Sequence, residues 1–179
     1  MSYLYHRVPA HLTGSVLYPL NTLKQKFPAI YTAHAAKYVG RETLTQQIVP
    51  PLGCLWNDAL HFSPVHPNSI YQGLLAAGFE PQPMQWFEAE PLALNFNRTN
   101  TAIFLHPPKE YLDFTKLADA FAPFDYALLS ELSELPEATL AYYRASRESG
   151  QSPLLFHRIP HILYRGSLHV KDMTLIRIP

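Results

Sequence analysis

Leu-Trp-Asn-Asp-Ala-Leu-His-Phe-Ser-Pro-Val-His-Pro, residues 55–67, places an indole, a carboxylate, two imidazoles and a hydroxyl in one short segment. Its centre, Ala59 to Ser63, predicts a short β-strand, because the two prolines that follow cannot continue one. Successive side chains of a strand point to opposite faces, so His61 and Ser63 share one face and the apolar residues share the other. Such a strand can line a cleft. The alternative is that His61 is a core histidine hydrogen-bonded to backbone.

The whole composition is that of a globular protein. The 179 residues suit a single domain, residues 1–179, with a core of its own. Hydrophobic residues make up 47% of the chain and charged residues 16%, against a usual charged share of about 25%. The net charge is zero and no element carries a basic stripe, so we expect no extended nucleic-acid surface.

The cysteine content and the hydropathy pattern indicate the compartment in which the protein resides. Cys54 is the only cysteine, which excludes an intrachain disulfide and fits a reducing environment. No secretory signal precedes the first strand, and no apolar run approaches the ~18 residues of a membrane span. We therefore expect a cytoplasmic protein without a membrane partner, although a protein secreted through a non-cleaved signal would have the same pattern.

Apolar runs bounded by proline predict many short elements, and strands at both ends with helices between them predict the α+β class. Helical periodicity covers Asn21–Ile48 with breaks at Pro28 and Gly40, then Asn68–Ala77, Phe114–Phe121 and Pro136–Ser149. We expect the first and last strands to pair near the middle of the sheet. Strands are predicted at Ser2–Val8, Gly14–Leu17, Ala59–Ser63, Met84–Glu88, Leu92–Phe96, Thr101–His106, Tyr126–Ser130, Leu154–His157, His161–Tyr164 and Leu168–Ile178.

Three groups of polar residues could converge on one cleft of such a sheet: His6 with Arg7; Asp58, His61, Ser63 and His66; and His157, Arg158, His161, Tyr164 and Arg165. Neither pair of nearby histidines has a third ligand at a suitable spacing, so we predict no metal. Ser63 lacks the Gly-x-Ser-x-Gly turn that exposes a hydrolase nucleophile. Imidazole, guanidinium and hydroxyl groups suit an anionic ligand with rings, such as a nucleotide. The alternative is that the arginines are solvated charges at strand ends.

Two of these segments resemble a known family. Ala59-Leu60-His61-Phe62-Ser63 is similar to the Phe-Ile-His-Leu-Ser segment of DUF952 domains. Ile159-Pro160-His161-Ile162-Leu163-Tyr164-Arg165-Gly166-Ser167-Leu168 resembles the family's Phe-Pro-His-Leu-Tyr-Gly-Pro-Leu, and a closing strand follows in both. The family in turn looks like a distant relative of the ADP-ribosyltransferase fold. The likeness covers about a third of the chain, and no Glu stands near the closing strands where a transferase holds the ribose.

The resemblance implies a split mixed or antiparallel sheet with flanking helices, and a cleft that binds NAD or a related nucleotide and transfers or hydrolyses ADP-ribose. A His-rich variant, as in RNA 2′-phosphotransferases, fits better than protein ADP-ribosylation. By this likeness His161, His61 and Ser63 are the expected catalytic residues, and a protein could be the target. The expected nucleotide-binding residues are His6, Arg7, Tyr164 and His66. The alternative is a non-catalytic interaction domain that keeps the fold without the chemistry.

Overall fold

The computed structural model describes residues 1–10, 12, 14–35, 46–106 and 119–179. Within these ranges the helices are α1 Leu20–Lys26, α2 Pro28–Ala35, α3 Pro67–Ala76 and α4 Glu137–Glu148. The strands are β1 Leu4–Arg7, β2 Val16–Leu17, β3 Ile48–Val49, β4 Cys54–Leu55, β5 Ala59–Phe62, β6 Met84–Ala89, β7 Thr101–Phe104, β8 Phe121–Pro123, β9 His161–Arg165, β10 Leu168–His169 and β11 Thr174–Ile178. The chain therefore mixes helix and sheet, as predicted.

The first sheet has the order β1-β6-β11, and both of its strand pairs are antiparallel. The first and last strands lie on opposite sides of β6, so the prediction that they pair with each other is wrong. Residues Met84, Trp86, Phe87 and Ala89 of β6 are all buried, so apolar side chains cover both of its faces. A strand buried in this way needs a hydrogen-bonded neighbour along each edge, and β1 and β11 supply them.

The second sheet has the order β5-β9-β7-β8, again antiparallel throughout. An isolated bridge joins the two sheets, because the backbones of Tyr5 and Ser63 exchange two hydrogen bonds of 2.8 Å each. β1 thus lies beside β6 along its length and beside the end of β5 at one residue. Two small antiparallel sheets complete the set, and each pairs two strands of two residues: β2 with β10, and β3 with β4.

The second sheet separates two groups of buried side chains. Leu60, Phe62 and Ile103 face one side, in a core that includes Phe96 and Phe124. Ala59, Ala102, Phe104 and Leu163 face the other side, in a core completed by Trp56. This alternation follows the two-residue period of a strand. A third core packs α3 and α4 against the first sheet around Trp86 and Tyr143.

Two predicted strands are turns or 3-10 helix. Leu92–Phe96 forms hydrogen-bonded turns, in which Phe96 N donates to Pro91 O at 2.8 Å and Asn95 has a φ of 59°. Tyr126–Leu129 is a 3-10 helix, and the Asp125 side chain accepts from Ala127 N at its start. The periodicity of a short apolar run fits a helix or a strand equally well. Local turn and cap hydrogen bonds therefore determine the backbone conformation of both segments.

Leu154–His157, also predicted as a strand, ends in turns, because α4 satisfies its backbone instead of a neighbouring strand. Tyr142 Oη accepts from Leu154 N at 3.0 Å, and Tyr143 Oη donates to Leu155 O at 2.5 Å. Thr139 Oγ1 donates to His157 O at 2.9 Å. Side chains three or four residues apart lie on one face of a helix, so Thr139 can bond this segment together with Tyr142 and Tyr143.

The helix predictions are confirmed in part. Asn21–Ile48 is divided into α1 and α2 near Pro28, residues 36–45 lie outside the described ranges, and Gln46 is in a turn that precedes β3. α3 starts at Pro67, with His66 rather than Asn68 or Ser69 as its cap. α4 follows Pro136 and ends before Gly150, as predicted. Most of the predicted helix Phe114–Phe121 falls outside the described residues, and Phe121 itself begins β8.

Candidate functional site

Three histidines meet two aromatic residues on the Trp56 side of the second sheet. His161 of β9 pairs with Phe104 of β7, and one step along the same face His61 of β5 pairs with Leu163. His106 follows Phe104 by two residues and extends this row beyond β7. We call the set of His61, His106, His161, Trp56 and Phe104 the histidine–aromatic cluster.

The rings of the cluster are in contact at ordinary aromatic distances. The Trp56 centroid lies 4.7 Å from that of His61, 5.1 Å from Phe104 and 5.8 Å from His161. His161 lies 6.0 Å from His61 and 5.2 Å from His106, both edge to face. Trp56 and Phe104 are buried, while the three imidazoles are half-buried. The three imidazoles are therefore partly enclosed and lie beside two buried aromatic rings.

Backbone hydrogen bonds fix the His61 side of the cluster. The His61 Nε2–H donates to Trp56 O at 2.9 Å, which sets the tautomer and orientation of the ring. The His6 Nδ1–H donates to His61 O at 2.8 Å, and the His6 ring packs against Phe62 at 5.2 Å. His6 thus supports the backbone of β5 from the neighbouring strand.

Burial keeps two of the imidazoles neutral at physiological pH. Desolvation lowers the pKa of His161 to about 4, and backbone hydrogen bonds to Pro160 and Ile159 oppose that shift. Desolvation also lowers the pKa of His106 to about 3, with further lowering by His161, His157 and Arg158 and an opposing backbone hydrogen bond to Ile159. A neutral imidazole offers one N–H donor and one acceptor nitrogen. The pair can therefore recognise hydroxyl and ring groups without carrying charge.

Positive charge borders the cluster at Arg158. Its guanidinium is near enough to lower the pKa of His106, and its backbone has a φ of 66° at the end of the turns that precede β9. The preceding His157 stacks on Tyr142 of α4 at 3.9 Å, and Thr139 bonds its carbonyl. Helix α4 therefore holds the segment that positions Arg158 beside the cluster.

Ser63 has a different environment from the one predicted for a catalytic hydroxyl. It is 2% exposed, and its Oγ accepts from Val65 N at 3.0 Å and donates to Val65 O at 3.1 Å. Both hydrogen bonds close the turn that leads into α3. The hydroxyl is thus engaged locally, and its catalytic role stays a prediction.

The remaining predicted site residues are spread over the molecule. Tyr164 lies on the opposite face of the sheet, where its ring contacts Phe96 at 4.5 Å and burial raises its pKa. His66 is exposed; its Nδ1 accepts from Asn68 N at 3.1 Å, and its ring packs edge to face against Tyr5 at 5.0 Å. Arg7 is exposed at the end of β1, opposite Trp86. Of the predicted residues, His61 and His161 are therefore in ring contact, with His6 behind them.

Sequence reasoning missed His106 and Phe104 as site residues. The available signal was the alternation of Phe104 and His106 along a predicted strand that ends before two prolines. What could not be read from sequence was that β7 and β9 are neighbours, because their pairing joins residues about sixty positions apart.

Among the described residues, no group of three or more His, Cys, Asp or Glu side chains is arranged to hold a metal ion. None of their helices combines the length and apolar character needed to cross a bilayer.

Compared with protein-family models, curated proteins and solved structures, the chain gives no match in any of the three.

Proposed function

We propose that the histidine–aromatic cluster binds a nucleotide, in the manner of NAD or ADP-ribose, with a flat ring against the imidazoles and the anionic part at Arg158. The observation that carries the proposal is the gathering of His61, His106 and His161 on one sheet face around Trp56. Aromatic walls with a few directed polar groups are typical of sites for ring-bearing ligands.

The electrostatics of the cluster support the same ligand class. His106 and His161 have pKa values of about 3 and about 4, so neither contributes charge at pH 7. Arg158 therefore supplies the positive charge beside them, and a guanidinium is well suited to phosphate. The neutral imidazoles would then bond ribose hydroxyls or base edges.

The chemical step we propose is limited to what these groups can do. A neutral His161 with an acceptor nitrogen could hold a ribose hydroxyl while positive charge develops on the sugar ring, as nicotinamide leaves NAD. His61, whose Nε2–H is used by Trp56 O, would position that ring rather than exchange a proton through the same nitrogen. Whether ADP-ribose passes to water or to another acceptor depends on the acceptor supplied.

The test is ligand-induced stabilisation of the whole chain. NAD, ADP-ribose and AMP are added separately, and the melting temperature is followed together with isothermal titration calorimetry. A ligand at 100 times its Kd stabilises the folded state by about 2.7 kcal/mol. We expect at least one of the three to raise the melting temperature, and His161→Ala and Arg158→Gln each to remove that shift.

His169→Ala is the matched control, because His169 is an exposed histidine on β10. It should retain the full shift. A wild-type protein that responds to none of the three nucleotides would contradict the proposal, as would variants that respond like wild type. Release of nicotinamide from NAD, measured alongside, separates binding from turnover.

A non-catalytic interaction domain is the second candidate function. It is favoured because two of the predicted catalytic side chains are hydrogen-bonded to nearby backbone. Ser63 Oγ bonds the Val65 backbone, and His61 Nε2 bonds Trp56 O. Side chains engaged in this way stabilise the fold whether or not a ligand is present. Under this function, His61→Ala and His161→Ala would destabilise the protein, and the wild type would not respond to nucleotides.

A further inference from the structure

A cavity lies apart from the histidine–aromatic cluster, between α1, α2 and the 3-10 turn Trp56–Asp58. Its volume is about 420 Å³, within the range of small-molecule sites. Apart from Leu55 and the Tyr31 ring, the side chains that define it are polar. The lining includes Asn21, Lys24, Tyr31, Leu55, Asn57 and Asp58.

One side of the cavity carries a carboxylate that is held in place. Asp58 Oδ1 accepts from Asn21 Nδ2 at 2.7 Å, and Asp58 Oδ2 accepts from Leu55 N at 2.9 Å. An ionised carboxylate has about four lone-pair sites, so two remain for a ligand. The preset orientation of Asp58 reduces the entropy lost on binding a cation.

The lining also includes a cation, Lys24. The Lys24 Nζ lies 5.7 Å from the centroid of the Tyr31 ring, which joins α1 to α2 by a cation–π contact. Lys24 is exposed and Tyr31 is half-buried. The cavity therefore presents a negative group and a positive group, with an aromatic wall beside the positive one.

Asn57 supplies a buried polar group at the same cavity. It is 3% exposed, and its Oδ1 has no hydrogen-bond partner in the part of the chain that the structure describes. Burying an acceptor without a donor is unfavourable. Because Oδ1 lies beneath the surface, rotation of the carboxamide about χ2 is needed to present it to a donor in the cavity.

We propose that this cavity binds a small zwitterion of the amino-acid class. The ammonium group would lie at Asp58 and Asn57, and the carboxylate at Lys24. An ammonium has three donors, which match the open lone pairs of Asp58 and the unused acceptor of Asn57. A carboxylate balances the charge of Lys24, and the Tyr31 ring gives the site room for an apolar or aromatic side chain.

The experiment titrates the whole chain with each of the twenty L-amino acids, one at a time, and follows backbone amide shifts by NMR. We expect at least one amino acid to shift amides in α1 and in residues 55–58. Its N-acetyl derivative, which lacks the ammonium, and its amide, which lacks the carboxylate, should each bind about tenfold more weakly or worse.

Variants locate the binding. Lys24→Gln and Asp58→Asn should each weaken the affinity about tenfold. Lys26→Gln is the matched control, because Lys26 ends the same helix and lies over the Tyr18 ring, outside the cavity lining. It should bind like wild type. Lys24 is exposed, so Lys24→Gln should not disturb the fold. It still tests the proposal if Asp58→Asn unfolds the turn.

The proposal is overturned if no amino acid at 5 mM, roughly the weakest affinity worth assigning to such a site, shifts these amides. It is also overturned if both blocked derivatives bind as tightly as the free amino acid, or if Lys24→Gln leaves the affinity unchanged.

Discussion

At the scale of single residues, the molecule is unusual in placing half-buried imidazoles beside one another. Desolvation lowers the pKa of His161 to about 4 and that of His106 to about 3. An unfolded chain binds a proton on each histidine near pH 6.5. The folded protein therefore excludes protons that the unfolded chain would take up, and its stability depends on pH.

The sign of that dependence follows from linkage. Between about pH 6.5 and pH 4 the unfolded state binds more protons, so the free energy of unfolding is fully retained above about pH 6.5 and decreases as the pH falls through this window. We expect each of these histidines to contribute a loss on the order of 1–2 kcal/mol by about pH 4.5, after discounting for water at a partly exposed ring. Urea unfolding at a series of pH values measures it.

His161→Gln tests the assignment, because it removes one of the two titrating groups. The variant should show a shallower loss of stability between pH 6.5 and 4.5 than wild type, whereas His169→Gln should follow the wild-type curve. Parallel curves for wild type and His161→Gln would show that His161 does not exclude a proton in the folded state.

Ser63 offers a second prediction at this scale. Its buried hydroxyl makes two hydrogen bonds with the Val65 backbone, so Ser63→Ala leaves a buried N–H without its acceptor. We expect a loss of about 1–3 kcal/mol in the free energy of unfolding, with nucleotide affinity unchanged. Ser167→Ala, at an exposed position between β9 and β10, is the control. A variant of normal stability that no longer binds nucleotide would instead support a direct role for the hydroxyl.

At the scale of elements, α4 replaces a strand partner for the segment that precedes β9. Three of its side chains bond the backbone of residues 154–157, and this segment leads to Arg158 and His161. The position of Arg158 beside the cluster therefore depends on a helix whose sequence shows only an ordinary amphipathic pattern.

Thr139→Val tests this dependence. Thr139 is fully buried, and valine keeps its shape while removing the donor to His157 O. Loss of this partly buried hydrogen bond costs about 1 kcal/mol, and each kcal/mol lowers the melting temperature of a chain this size by roughly 2–4 °C. Ser149→Ala removes a hydroxyl that bonds only its own helix, and should change stability little. Equal melting temperatures for the two variants would count against the account of α4.

Elements were predictable from sequence where periodicity and caps agreed. β5, β6, α3 and α4 lie close to their predicted positions, since each combines a regular apolar pattern with proline or glycine at its ends. Leu92–Phe96 and Leu154–His157 were not predictable, because positive-φ residues and side chains from distant elements decide their backbone. In the site, His61 was found from its polar strand face, and His161 from the polar residues near the last strands and the likeness to DUF952 domains. His106 needed the pairing of β7 with β9.

At the scale of the whole molecule, two antiparallel sheets are joined by backbone pairing at one position. Tyr5 and Ser63 carry that pairing, and buried side chains of β1 and β5 pack on both sides of it. The likeness to DUF952 domains predicted a split sheet, and its link to the ADP-ribosyltransferase fold stays a prediction. The pairing of Tyr5 with Ser63 should therefore determine whether the two sheets unfold together.

We expect the two sheets to unfold as one cooperative unit. In native-state hydrogen exchange, the amides of Tyr5 and Ser63 should open with the same free energy and the same denaturant dependence as the slowest amides of β6 and β7. Tyr5 and Ser63 amides that exchange several kcal/mol more easily than both sheets would mean that the junction opens by itself.

The most direct test of the central claim, that the histidine–aromatic cluster binds a nucleotide, is NMR of the histidine rings during a titration with ADP-ribose. Long-range proton–nitrogen spectra resolve each imidazole and report its tautomer and its contacts. The account predicts that His61, His106 and His161 shift together with one Kd, while exposed His66 and His169 do not move. Cluster rings that stay unchanged at millimolar ADP-ribose, well above the Kd of a typical specific site, would contradict it.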